Sequence, residues 1–238
     1  RDVSLELGGK NPAVVFADCD MDKAITETTR SCFANSGQVC LGTERVYVQR
    51  PIFDEFVSRL KESASKLKLG IQHDESTDIG PLVSSSHRDK VLDYYEKAVA
   101  EGANVVLGGT APVMPGKMKD GYWVEPTIWT GLSEEATVVQ EEVFGPCCHV
   151  QPFDTEEEAI KMANNSPYGL ASTIFTENLD KAHRVASQLD TGIVWINSWF
   201  LRDLRTPFGG MKGSGIGREG GHHSLEFYTE LKNVCIKM

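Results

Sequence analysis

The sequence predicts an α/β fold: a mostly parallel sheet with flanking helices, plus a C-terminal strand suited to oligomerisation. Three observations carry this expectation. Short β-branched apolar runs alternate with helical patterns, several helical stretches open on capping residues, and turn formers cluster between the elements. A chain of 238 residues is long enough to bury one sizeable core.

The first residues, Arg1 to Leu7, hold neither an initiator Met nor the basic-then-apolar order of a secretion signal, and read as a strand entered mid-protein. Ala13-Val14-Val15-Phe16 is a strand, residues 20–34 a helix, Val46-Tyr47-Val48 a strand and residues 52–67 a helix. The order repeats with a helix over 86–101 and a strand at Val105-Val106-Leu107-Gly108-Gly109. Residues 110–123, holding Pro112, Pro115, Gly116 and Gly121, form a surface loop that leads into a strand over 123–129. A helix over 155–164 is capped by Asp154 or Thr155 with Glu158 downstream, Ala171 to Phe175 is a strand, and Asn178 caps a helix over 179–189. Glycine density over 206–221 argues against regular structure. A helix over 224–228 and a last strand over 231–237 follow, the strand offering an open edge to a second subunit. The expected division is therefore residues 1–213 as the main domain and 214–238 as a C-terminal segment carrying the pairing strand.

Composition narrows the function classes. The 40% hydrophobic and 24% charged content is that of an ordinary globular protein, and no apolar run approaches the ~18 residues of a membrane span. With 24 Lys and Arg against 34 Asp and Glu, a net charge of −10, nucleic acid is a poor partner. Six irregularly spaced cysteines do not make a disulfide scaffold, and they point to a reducing, cytoplasmic setting. There is no C-x-x-C pair, so no metal site is expected.

Two residues carry chemistry. Cys40 follows Asn35-Ser36-Gly37, where a helix ends and a turn presents the thiol. Backbone N–H groups exposed there can lower its pKa and stabilise an oxyanion on an attacked carbonyl. The competing reading is a buried structural cysteine. Glu6 stands between Leu5 and Leu7, ahead of Gly8-Gly9. Burial there raises a carboxyl pKa, which suits a group that moves protons near neutrality; the competing reading is a salt bridge to Lys10.

Five segments in a fixed order extend this pair: Leu5-Glu6-Leu7-Gly8-Gly9-Lys10, Phe33 to Cys40, Glu142-Val143-Phe144-Gly145-Pro146, Pro207-Phe208-Gly209-Gly210, and Ser214-Gly215-Ile216-Gly217-Arg218-Glu219. Together they resemble the aldehyde dehydrogenase superfamily, as does the 34-residue interval from Glu6 to Cys40. The resemblance implies a catalytic domain over almost the whole chain, with Cys40 as nucleophile and Glu6 as the base that activates water. It further implies that Glu142 and Phe144 bind the nicotinamide ribose of NAD, with NADP left open, and that Leu7 meets the nicotinamide. By the same matching Phe208 lines the substrate tunnel and Glu219 lies on the proton exit route.

Trp199-Phe200-Leu201-Arg202-Asp203-Leu204-Arg205-Thr206 precedes the glycine-rich turn. If one arginine is spent on Asp203, the other is free to fork onto a substrate carboxylate, Arg202 being the first choice and Arg205 the second. The resemblance then implies a carboxylate-bearing semialdehyde such as 2-aminomuconic semialdehyde, from tryptophan breakdown, rather than a neutral aldehyde such as retinal. No strand-G-x-G-x-x-G-helix unit is present, so the dinucleotide-binding half is expected elsewhere and residues 1–238 alone are expected to be inactive. A thiol esterase and a non-catalytic assembly subunit are the alternatives. In each case homo-oligomers are expected.

Overall fold

The computed structural model describes residues 3–71 and 73–238. Arg1 and Asp2 of the expected first strand lie outside the described residues. What remains of that strand is β1 (Leu5–Glu6), which pairs antiparallel with β11 (Gly215–Ile216).

The body is a seven-stranded sheet in the order β4-β5-β6-β3-β2-β8-β9, made of β2 (Asn11–Val15), β3 (Thr43–Gln49), β4 (Asn104–Leu107), β5 (Thr127–Thr130), β6 (Cys147–Phe153), β8 (Ala171–Phe175) and β9 (Ile193–Ile196). Every neighbouring pair is parallel except β4 with β5. β2 and β8 are buried along their whole length because both faces of a parallel sheet are covered. Their side chains alternate accordingly. Ala13, Val15, Val46 and Val48 pack on α1 (Met21–Phe33) and α2 (Phe53–Ser65) through Ile25, Phe33, Phe56 and Leu60. Val14, Tyr47 and Ile174 face α5 (Glu156–Asn164) and α6 (Leu179–Ala186) through Ala159, Met162 and Val185. A third cluster joins Val91, Tyr95 and Ala98 of α3 (Ser85–Ala100) to Trp129, and to Val138 and Val139 of the one-turn α4 (Thr137–Gln140). No described helix is long and apolar enough to cross a membrane.

Capping follows the sequence closely. Lys23 N–H donates to Asp20 (3.1 Å) and Lys181 N–H to Asn178 (2.9 Å). At α5 the cap is Thr155 rather than Asp154, and Glu158 returns to accept from Asp154 N–H (2.7 Å).

Three expectations are corrected. The strand read over 123–129 is confined to β5, because Pro126 has no N–H for a ladder and pairing with β6 begins at Thr127↔Cys147. β6 and β9 are strands that the apolar runs did not reveal. The final strand over 231–237 has no regular structure: this chain gives it no neighbour, and Leu231, Val234 and Ile236 are exposed. The glycine-rich stretch is less bare than expected, since β10 (Met211–Lys212) pairs with β7 (Tyr168–Gly169) and α7 spans Gly221–Tyr228.

Candidate active site

The thiol is presented by a run of backbone that few residues tolerate. After α1, Asn35, Ser36 and Gly37 have φ of 51°, 57° and 69°, three successive left-handed residues. Ser36 Oγ anchors the turn on Gly80 O (2.8 Å), and Asn35 Nδ2 donates to Gln38 O (3.0 Å). A Cβ on Gly37 would lie 1.9 Å from Gly145 O, so glycine is required by contact as well as by φ. Cys40 emerges half-buried at the end of this turn. Asn11 Nδ2 then grips the far side, donating to Cys40 O (2.8 Å) and Gly42 O (2.7 Å), while its Oδ1 accepts from Ala171 N–H (2.9 Å).

Glu6 and Glu142 share the neighbourhood of the sulfur. The Cys40 pKa is raised, first by burial and then by the charges of Glu6 and Glu142; the N–H groups of Cys40 and Leu41 pull it down and are outweighed. Those amides therefore act as expected, but the net direction is opposite to the one the turn suggested. Glu6 is also raised, chiefly by partial burial of its carboxylate and next by Glu219, against the opposing charges of Arg218 and Arg202. Lys10 is not its partner. That lysine is buried and paired with Glu44.

Glu142 is raised by burial and lowered by the bond it accepts from Gly9 N–H (2.9 Å). Gly8 allows this approach, since a Cβ there would fall 2.2 Å from Glu142 Oε2. The neighbouring turn is held by Glu44, whose carboxylate accepts Val143 N–H (3.1 Å) and Phe144 N–H (2.9 Å), fixing Phe144 at φ 60°. His87 Nε2 contacts Phe144 O (2.8 Å) and its ring meets Phe144 edge-on.

The glycine-rich stretch supplies the opposite wall. Leu7 is 49% exposed and its N–H donates to Ser214 O (3.0 Å), continuing the β1–β11 pairing that carries Glu6. Phe208 and Glu219 exchange both backbone bonds (2.8 and 2.7 Å). Arg218 does not pair with Glu219; it donates to Gly210 O and Gly217 O. Arg205 is engaged with Asp203 (Nε to Oδ1 2.9 Å, to Oδ2 3.1 Å), whereas Arg202 lies 4.2 Å from the Phe208 ring centroid and has no ion pair among the described residues. Of the two arginines, Asp203 thus engages Arg205 and not Arg202.

Asn11 and Glu44 escaped sequence reasoning. The available signal was polarity inside buried strands: an Asn opening β2 and a Thr-Glu-Arg run opening β3. A cavity of about 600 Å³ lined by Glu134, Gln151, Met162 and Asn165 holds none of these residues.

A 2-hydroxymuconic semialdehyde dehydrogenase of Pseudomonas sp. (strain CF600) is 67% identical over all 238 residues, which span 49% of that protein. A 2-aminomuconic 6-semialdehyde dehydrogenase of Pseudomonas sp. is 58% identical over the same span and 48% of its own length. The chain thus spans about half the length of the curated relatives it matches. Betaine aldehyde dehydrogenase from Staphylococcus aureus, solved in complex with NAD+, matches with a TM-score of 0.92 and 44% identity over 95% of this chain and 45% of that one. The aldehyde dehydrogenase family model covers residues 1–234, and with it the chain belongs to the aldehyde dehydrogenase family.

Proposed function

We propose that this chain is the thiol-bearing half of a subunit that oxidises a carboxylate-bearing muconic-type semialdehyde to the acid, with NAD as cofactor. The observation that carries the reading is the half-buried Cys40 thiol held within electrostatic reach of Glu6 and Glu142, with Arg202, which has no ion pair among the described residues, bearing on Glu6.

In this reading Cys40 Sγ adds to the aldehyde carbon and the carbonyl electron pair moves onto oxygen, facing the N–H groups of Cys40 and Leu41. NAD, when bound, supplies the acceptor for the hydride that this adduct loses. Glu6 removes a proton from water, the water oxygen attacks the thioester carbon, and the C–S bond breaks to release the acid and the Cys40 thiolate, leaving the proton on Glu6. Glu219, whose charge bears on Glu6, is our candidate for passing that proton outward.

The cofactor's nicotinamide end suits the residues present. Glu142 is an acceptor for ribose hydroxyls, Gly8 leaves the space that its carboxylate occupies, and Phe144 and Leu7 offer apolar surface for a flat ring. The adenosine end needs residues outside 1–238, and with them the activity itself.

Substrate choice rests on Arg202, with Arg205 the lesser candidate because Asp203 occupies it, and Phe208 lines the approach. The relative named for the hydroxy semialdehyde is 67% identical and the one named for the amino analogue 58%. That order favours 2-hydroxymuconic over 2-aminomuconic semialdehyde and moves the reading away from tryptophan breakdown. In the full-length subunit, Arg202→Ala should raise KM for the anionic semialdehyde about tenfold or more, with a far smaller effect on a neutral aldehyde. Equal effects on both would refute the role.

A further inference from the structure

The loop that carries Arg202 has no regular structure between β9 and the glycine-rich turn, and two of its residues, Asn197 and Phe200, have φ of 53° and 64°. Backbone of this kind holds one conformation only if something outside the loop fixes it. Asn197 is held on Thr176, accepting from its N–H (3.0 Å) and donating to its carbonyl (2.8 Å), and Trp199 is held from α1. Its N–H donates to Glu27 Oε2 (2.9 Å) and its carbonyl accepts from Arg30 Nη1 (3.1 Å), so both of its backbone groups are held by side chains one helical turn apart on α1. Glu27 and Arg30 also pair with each other (3.4 Å), and the guanidinium lies 5.2 Å from the Trp199 ring centroid.

The buried indole of Trp199 makes a second tie. Its Nε1–H donates to Leu41 O (2.9 Å), the residue that follows the nucleophile. Two residues further on, Leu201 O accepts from Trp195 Nε1 (2.8 Å) on β9. Arg202 comes next, its guanidinium over Phe208. The distance from Cys40 to Arg202 is therefore set through Trp199, which is bonded to the helix before the nucleophilic turn and to the residue after the nucleophile.

We infer that Glu27 and Arg30 are positioning residues for substrate choice: their clamp on Trp199 sets the reach between the Cys40 thiol and the carboxylate-binding Arg202. This rests on the substrate reading above. Neither residue touches the reacting atoms. Arg30 is half exposed, so its removal should leave the fold intact and act on where the loop sits.

The test uses the full-length subunit with 2-hydroxymuconic semialdehyde and, as a neutral probe, propanal. Glu27→Leu and Arg30→Met should each raise KM for the semialdehyde about five- to tenfold while kcat and the propanal KM change less than about twofold, and Arg30→Lys should recover part of the loss. Combined with Arg202→Ala, Glu27→Leu should add almost nothing, because both changes remove one interaction. If Arg202→Ala acts selectively but the clamp variants do not, or if the effects add fully, the clamp is overturned and the substrate reading stands. If Arg202→Ala is itself unselective, the substrate reading fails and the clamp's role with it. Equal losses on both aldehydes would make Glu27 and Arg30 merely structural and also overturn the inference.

Discussion

At the scale of single residues, the site is a contest of charges around one sulfur. Burial and two carboxylates raise the Cys40 thiol, and two backbone amides only partly offset them. The unliganded thiol is therefore restrained. Removing one carboxylate lowers the thiol pKa and increases the thiolate fraction at neutral pH. Glu142→Gln should thus speed iodoacetamide labelling of Cys40 severalfold at pH 7, with the gain shrinking at high pH, where both proteins are ionised. Peptide mass spectrometry resolves Cys40 from Cys235, which is exposed and labels on its own schedule. A slower or unchanged rate would mean that Glu142 does not bear on the sulfur. That Glu6, Cys40 and Glu142 belong to one neighbourhood was legible because motif order survives in sequence. Their settings were not: the pairing of Lys10 with Glu44 instead of Glu6 depends on residues 34 positions apart in the chain.

At the scale of elements, the turn before Cys40 carries three successive left-handed residues. Gly37 combines a left-handed φ with a contact that admits no side chain. Gly37→Ala should cost about 2 kcal/mol or more in stability and should displace Cys40, seen as a lower midpoint in urea and an altered Cys40 labelling rate. Wild-type stability and labelling together would show that the turn relaxes freely. Caps and buried strands were readable because Asp20, Asn178 and Thr155 act within three residues and β2 is an unbroken apolar run. β6 was hidden by prolines at 146 and 152 and by a buried histidine, and the segment read as the final strand has no strand partner among the described residues. No local pattern reports either fact.

At the scale of the whole molecule, the sheet keeps one titratable group neutral. His149 sits in β6, 1% exposed, and its Nε2 accepts from Leu132 N–H (3.1 Å). Burial, then the charge of Lys10, lowers its pKa to about 4, below the ~6.5 of an unfolded histidine. Between those values the unfolded chain binds more protons than the folded one. Stability is therefore whole above pH ~6.5 and is lost as pH falls toward 4, by up to about 3 kcal/mol. Urea unfolding at pH 7 and pH 5 should show the loss, and His149→Gln, which keeps an acceptor for Leu132, should remove that slope. An unchanged slope would assign the acid sensitivity to other groups.

The pairing of Cys40 as nucleophile with Glu6 as base is tested most directly by single-turnover acylation in the full-length subunit. Glu6→Gln should still form NADH in one burst per active site and then stall, with intact and peptide mass spectrometry placing the acyl group on Cys40. Undiminished steady turnover, or an acyl group on any other cysteine, would contradict it.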